Sequence, residues 1–456
     1  MAKGALKVQV WKGDSFVPVE NTKVTIVQSG KTPQSTIEKT DRTDSSGLTE
    51  PVELNAPPIE VSQRPSNQLP YSLVDLKVEA DGFVPIAIRG CQVYPERVAY
   101  QECRLVPRSS PAASRLRQGE EIINIQPNAL VANFPPKIPE DPEKPLPPPS
   151  SGFVVLDQPV VPEFIVVHQG LPDDPSAANY TMRYKDYIKN VACSEIFSTW
   201  PESTIRANVY AIISFTLNRI YTEWYRAKGK DFDITSSTAY DHAFSYGRNI
   251  YENIVRVVDD IFSTYIKRPG KKQPLLTQYC DGVKVQCPGW MTQWGSKYLG
   301  DQGKTPYEIL TNFYGSDLGL ETAKEVAGMP RSWPGYILTE GTRGRDVRTV
   351  QTYLNRISQN YPAIPKMAVD SVYGPSTTAS VKAFQEIFSL PPSGNVDYAT
   401  WYRISDIYVG VTGIAELRGE ENCRDHEYCK EKIFIPPVPF KDRDSKDMPY
   451  TYYPED

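Results

Sequence analysis

Along the first hundred residues apolar side chains alternate with polar ones. Leu6, Val8 and Val10 interleave with Lys7 and Gln9, and Val74, Leu76 and Val78 interleave with Asp75 and Lys77. A period of two places successive side chains on opposite faces of an extended chain, so these segments predict half-buried strands. Lys12-Gly13-Asp14, Asp44-Ser45-Ser46-Gly47 and Asp81-Gly82 supply turn chemistry between them, at a spacing that suits an antiparallel sandwich over residues 1–108.

Beyond residue 162 the period becomes helical. Tyr187, Val191 and Glu195 lie at i, i+4 and i+8. A broad stripe runs from Ile205 through Val209, Ile212, Thr216 and Ile220 to Trp224, with Ser203 expected to cap it, and a third stripe runs from Ile250 to Tyr265. Between Leu275 and Gly315 the pattern breaks into short pieces rich in Gly, Gln and aromatics. These predict loops around a groove, followed by a helix over Pro306–Tyr314. From Leu338 to Ile407 a small helical unit follows, with Val347, Val350, Leu354 and Ile357 on one face and Val381, Phe384, Ile387 and Phe388 on another. The expectation is a multidomain α+β protein: β-sandwich 1–108, Pro-rich linker 109–162, mixed α+β domain 163–328, small helical domain 337–411 and polar tail 412–456.

Composition narrows the partners. Charged residues are 23% of 456 and the net charge is -5, so bulk charge attracts neither nucleic acid nor an anionic membrane. No run of about 18 apolar residues predicts a membrane span, and MAKGALKVQVWKGDSF lacks the continuous apolar core of a signal peptide. Ten of the 41 prolines fall between Phe134 and Pro162, where they exclude regular helix and inner strand. That stretch is either a spacer or a protease-accessible activation loop. The seven cysteines are dispersed without CxxC spacing; Cys280 and Cys287 are a local pair or two buried thiols. With only His168, His242 and His426, histidine mechanisms have few candidates and carboxylate chemistry moves forward. No metal and no cofactor is expected.

Glu195 is the candidate that stands out, because its helical register turns it toward the packed side. Such a glutamate either pairs with an arginine, Arg206 or Arg219, or is held partly neutral, the state that protonation of a glycosidic oxygen needs.

The words around it add a resemblance. DYIKNVACSEIFSTWPESTIRANVYAIISFTLNRI and CPGWMTQWGSKYLGDQGKTPYEILTNFYG resemble blocks of the stage II sporulation protein D family. That resemblance implies a peptidoglycan lytic transglycosylase domain with Glu195 as the catalytic residue. It implies substrate-binding roles for Thr238 and Asp241 in the Ser/Thr-rich loop Phe232–Phe244, for Tyr279 in QYCDG, and for Gln293 and Trp294 in the second block. Some relatives carry a zinc site of cysteines and histidines near the Ser/Thr loop. Here only His242 is present, expected at the surface or in the groove, so no metal is implied. Glu202, Asp233 and Asp241 are possible second carboxylates, which would make the product hydrolytic.

GTRGRDVRTVQTYLNRI, VDSVYGPSTTASVKAFQEIF and SGNVDYATWYRI resemble the type 1 peptidoglycan-binding module. Asp370, Tyr373 and Thr377 would border its ligand groove, and Ser371 stands where glycine is usual. The N-terminal strands resemble carboxypeptidase regulatory-like modules. The whole order resembles spore cortex-lytic enzyme precursors. This implies a spore-located zymogen that cleaves the MurNAc–GlcNAc bond of cortex peptidoglycan during germination, activated by a subtilisin-like germination protease near Val154-Val155, its N-terminal part diluting away once cut. The alternative is a non-catalytic peptidoglycan-binding protein of the spore envelope.

Overall fold

A computed structural model describes residues 2–30, 36–115, 119–140 and 158–414. Val154, Val155 and the tail from 415 lie outside the described residues. The N-terminal strands are β1 (Ala2–Lys12), β2 (Lys23–Gln28), β3 (Ile37–Arg42), β4 (Val52–Ala56), β5 (Ser72–Glu79), β6 (Ile86–Val93), β7 (Val98–Leu105) and β8 (Glu121–Asn124). The alternation holds, since Leu6, Val8, Val10, Val74, Leu76 and Val78 are all buried. Two sheets result, one ordered β3-β2-β5-β6-β8 and one containing β7-β1-β4. Not every pairing is antiparallel as expected: β1 runs parallel to β7, and β6 parallel to β8. Alternation specifies which face is buried and leaves the direction of the neighbouring strand open. At the turn before β4 the Asp44 carboxylate accepts from the amides of Ser46 (2.8 Å) and Leu48 (3.0 Å). Gly47 there has φ +72°, and a Cβ would meet the Val10 carbonyl oxygen at 2.4 Å, so no other residue fits.

β8 lies inside the stretch expected to be linker. Its Ile123 and the following Ile125 are buried, which binds the chain to the sandwich as far as residue 125. The segment from 126 to 140 then crosses onto the middle of the protein.

There β9 (Phe164–His168) and β10 (Asn179–Arg183) lead into helices α1 (Tyr184–Glu195) and α2 (Glu202–Tyr221). β11 (Ile234–Thr235) completes a three-stranded sheet, and β12 (Ile250–Tyr251) precedes α3 (Glu252–Ile261). β13 (Thr264–Lys267), β14 (Tyr279–Cys280), β15 (Met291–Thr292), α4 (Gln293–Asp301), α5 (Pro306–Tyr314) and β16 (Gly319–Thr322) follow. Ser203 does not cap α2. Pro201 occupies that position with extended backbone and Ser203 is already inside the first turn. Tyr265 belongs to β13, because a buried strand directly after α3 continues the same apolar pattern. α5 begins at a reciprocal cap: Thr305 Oγ1 accepts from the Glu308 amide (3.2 Å) while the Glu308 carboxylate accepts from the Thr305 amide (2.8 Å). The C-terminal unit is helical, with α6 (Arg345–Ile357), α7 (Pro375–Ile387) and α8 (Tyr398–Thr412).

The protein is thus a multidomain mixed α/β one, β-rich at the N-terminus and helical at the C-terminus, and one apolar core runs through all of it. β12 extends the sheet that contains β7, β1 and β4 by pairing with β7. Buried Arg248 donates to the carbonyl of Cys193 (3.1 Å), the side chain of Gln92 (3.0 Å) and the carbonyl of Gln126. Trp200 Nε1 donates to the Ser62 carbonyl (2.9 Å). At the other end Trp11 Nε1 donates to Tyr361 Oη (3.0 Å), which in turn donates to the Phe16 carbonyl (2.6 Å).

These contacts bear on the idea that the N-terminal part dilutes away after a cut. Separating the parts would break the bonds of Arg248 to Gln92 and Gln126, of Trp11 to Tyr361 and of Trp200 to Ser62, worth roughly 0.5–1.5 kcal/mol each, and would expose the shared apolar core to water. A chain cut once between 141 and 157 is therefore expected to run as a single species in gel filtration under native conditions. Separation of the two fragments without denaturant would contradict this.

Candidate active site

Glu195 is the last residue of α1, where Ile196 leaves the helix with extended backbone. It is 3% exposed. Oε1 accepts from the Ala243 amide (2.7 Å) and Oε2 from Gln293 Nε2 (2.9 Å), which also donates to the Glu195 carbonyl (3.0 Å). Gln293 can reach because it opens α4, whose start is fixed by the Thr292 side chain accepting from the Gly295 amide (3.2 Å). Burial pushes the Glu195 carboxyl above its ordinary range. The nearby Lys137 ammonium, the two donors and the Tyr279 hydroxyl oppose this without reversing it. The C-terminal end of a helix, with its partial negative charge, also disfavours the ionised form.

Neither arginine considered as a structural partner pairs with Glu195. Arg206 binds Glu202 and Asp260, each at 2.9 Å. Arg219 binds Asp241 at 2.8 Å and Glu140 at 2.5 Å. The possible second carboxylates are likewise engaged. Asp241, fully buried, accepts from Arg219 Nε, Tyr225 Oη (2.6 Å), the Thr235 amide (2.9 Å) and Thr235 Oγ1 (2.7 Å). Asp233 is held by Arg226 Nε and the Val166 amide, both at 2.8 Å.

Around Glu195 the groups expected to bind substrate fall into two kinds. Tyr279 is buried, its ring stacked on His242 at 5.8 Å between centroids, and Thr238 is buried beside the same loop. The hydroxyls of Ser237 and Thr238 and Nε2 of His242 have no hydrogen-bond partner in the protein, and the Tyr279 hydroxyl faces the Glu195 carboxylate. Three unpaired buried polar atoms in one region are costly unless something else satisfies them. Trp294, by contrast, packs its ring against Trp200 (5.0 Å) and Phe197 (5.9 Å) and serves an aromatic cluster.

His242 is not at the surface but fully buried, its Nδ1 3.0 Å from Tyr187 Oη, and burial holds its pKa well below the usual imidazole value. A lone histidine in sequence carries no sign of its depth; the stacking of the 237–243 loop under Tyr279 decides it. Lys137, which lines the same region, carried no sequence signal, and Arg219 entered the sequence reading only as a possible partner of Glu195. Cys280 and Cys287 form a disulfide, which closes the loop that directly follows Tyr279. Among the described residues no group of three or more His, Cys, Asp or Glu side chains is placed to hold a metal ion, and no helix is long and apolar enough to cross a membrane.

In the C-terminal unit Asp370 and Thr377 gather around the buried Gln351 amide, and Tyr373 bonds elsewhere. Gln351 Nε2 donates to Asp370 Oδ1 (2.9 Å), the Val372 carbonyl (3.0 Å) and Thr377 Oγ1 (3.2 Å), and Tyr373 Oη donates to the Gly394 carbonyl (2.7 Å). Their polar atoms shape the module's own turn. Ser371 adopts φ +66° there, the left-handed conformation that explains why glycine is usual.

Residues 343–404 match the family described as "Putative peptidoglycan binding domain". No curated protein matches the chain. Among solved structures, the SleB N-terminal domain is 26% identical over 17% of this chain and 99% of its own, with a TM-score of 0.15. Catechol 1,2-dioxygenase from Acinetobacter is 14% identical over 26% of this chain and 55% of its own, TM-score 0.17. Chlorocatechol 1,2-dioxygenase from Pseudomonas putida is 13% identical over 27% and 58%, TM-score 0.15. At these TM-scores none of the three defines the fold of the whole chain. The matched module makes peptidoglycan a partner of this protein and gives it a role at the cell wall.

Proposed function

We propose that the protein is the zymogen of a spore cortex-lytic enzyme, whose middle part cleaves the MurNAc–GlcNAc bond of cortex peptidoglycan by lytic transglycosylation during germination. Proteolysis near Val154-Val155 by a subtilisin-like protease would activate it. The observation that carries the reading is Glu195: a buried carboxyl with raised pKa, free of any arginine and gripped by two N–H donors, one of them from the loop that carries the unpaired Ser237 and Thr238 hydroxyls. Protonated, it gives its proton to the glycosidic oxygen as the bond from C1 breaks. As a carboxylate, steadied by Ala243 and Gln293, it takes the proton of the sugar's own 6-hydroxyl as that oxygen bonds to C1. The proton count balances and a 1,6-anhydro ring results. The engagement of Asp233 and Asp241 by their own partners supports a single-carboxylate route, in which proximity of the 6-hydroxyl replaces a second acid.

The rival, a non-catalytic peptidoglycan-binding protein of the spore envelope, draws on the near-complete burial of Glu195. Mass spectrometry of soluble fragments after digestion of cortex with the proteolysed protein separates the two. Anhydro-muramyl ends are expected. Reducing muramic ends would mean hydrolysis, and intact strands would favour the rival.

A further inference from the structure

Between the sandwich and residue 140 the chain does more than connect. Asn128 donates through its side chain to the carbonyls of Cys193 and Ile196, both at 3.2 Å, and the Ala129 amide donates to the Ser194 carbonyl at 2.7 Å. These bonds pin the segment to the residues flanking Glu195. Pro135, Pro136 and Pro139 then keep it extended and unable to join a sheet. Over the candidate site the Ile138 amide donates to the Ala239 carbonyl (2.8 Å). Lys137 turns inward. Its Nζ donates to the Asp241 carbonyl (2.7 Å) and stands 4.3 Å from the centre of the Tyr279 ring. The Glu140 carboxylate accepts both arms of Arg219 (2.8 and 2.5 Å), and its backbone amide and carbonyl exchange hydrogen bonds with the Gln278 side chain (2.9 and 2.7 Å).

The segment thus engages the 239–241 loop, Tyr279, Gln278 and Arg219 by charge and hydrogen bond, while Asn133, Pro136, Ile138 and Pro139 face solvent. Apolar burial holds only its start, at Leu130, Val131 and Ala132, and residues 133–140 are held by polar contacts. Beneath it the hydroxyls of Ser237 and Thr238 and Nε2 of His242 stay unpaired, polar groups that the segment does not itself satisfy and that a polar ligand could.

We propose that residues 129–140 are an intramolecular strap that fills the glycan groove and closes it over Glu195, with Lys137 and Glu140 as its two anchors. The inference rests on the reading of Glu195 as the acid and adds which element blocks it: the strap, not the sandwich. Lys137 acts twice, by occupying the groove and by placing a cation near Glu195 that works against its protonated form. A cut near residue 154 leaves the strap's start pinned at Asn128 and frees its far end, so the groove can open while the N-terminal part stays docked.

The test uses the uncut full chain, as wild type, as Lys137→Ala/Glu140→Ala, and as Ile138→Pro, which removes the amide donated to Ala239 and keeps both anchor side chains. Hydrogen exchange at Ile138 (in the first two) and at Glu140 or residue 140 reports the strap. Carbodiimide labelling of Glu195, read by mass spectrometry, reports the groove, and release of soluble glycan reports activity. Expected are at least ten-fold faster exchange and labelling in a variant than in wild type, with glycan cleavage appearing without any cut. Adding Glu195→Gln should remove the gained cleavage. Unchanged labelling in both variants overturns the strap. So does a labelled, open variant that stays inactive while proteolysed wild type cleaves, which would put the block in the sandwich. Faster labelling with no cleavage by any form, proteolysed wild type included, would leave the strap as a closure of the groove and overturn the transglycosylase reading instead.

Discussion

Glu195→Gln is expected to lower glycan cleavage by the proteolysed protein at least ~100-fold, the usual cost of losing a general acid. The substitution keeps the volume of the side chain and its acceptor for the Ala243 amide. It removes the transferable proton and forces Gln293 to turn its own amide, so one hydrogen bond to the Glu195 carbonyl is lost, worth about 1 kcal/mol. Folding should persist, with an unchanged circular dichroism spectrum and a small drop in melting temperature. The wild-type rate should fall as pH rises through the raised pKa of Glu195, because only the protonated form can start the reaction. The residual rate of the variant should lack that limb. A folded variant that retains most of the activity would remove Glu195 from the mechanism.

The second large effect concerns a buried ion cluster far from that chemistry. Asp259 of α3 lies 2.9 Å from Lys189 and 3.4 Å from Lys185, both on α1, and Lys185 is 2.6 Å from Asp406 of α8. The cluster therefore ties the peptidoglycan-binding unit to the middle of the protein. Burial pushes the Asp259 carboxyl up, but Lys189 and Lys185 outweigh it and bring it down to about 2. Asp259→Ala leaves Lys189 buried without that partner and is expected to cost about 3–5 kcal/mol, seen as a lower denaturation midpoint. Because the folded pKa lies below the unfolded one, the stabilisation is present above about pH 4 and is lost as pH falls toward 2. Wild type should lose stability over that window, and the variant should lose less. Asp259→Leu combined with Lys189→Met should recover much of the loss, since a packed apolar pair needs no desolvation of charge. A single variant as stable as wild type would mean that water reaches the cluster.

Much of the site could be read in the chain. The helical register of Tyr187, Val191 and Glu195 turned the glutamate inward, and it is buried at the end of α1. The helix over Pro306–Tyr314 follows from Thr305, Pro306 and Glu308, a cap written in consecutive residues. Ser203 misled because a helix start depends on where the backbone turns, and Pro201 turns it two residues earlier. The parallel pairings were equally out of reach, since nothing in alternation records which strand lies alongside.

What the sequence determines by itself is local: which residues alternate or repeat with a helical period, where prolines forbid regular structure, and which short words match a peptidoglycan-binding module. Those signals act between residues a few positions apart, so a linear reading recovers them. Only the tertiary structure decides that Glu195 takes its donors from Ala243 and Gln293 rather than from an arginine, that His242 is buried, and that Lys137 and Glu140 reach Asp241, Tyr279 and Arg219 across about a hundred intervening residues. Such contacts are set by the packing of whole elements, and a charged residue on a proline-rich stretch looks the same in sequence whether it meets water or a buried partner.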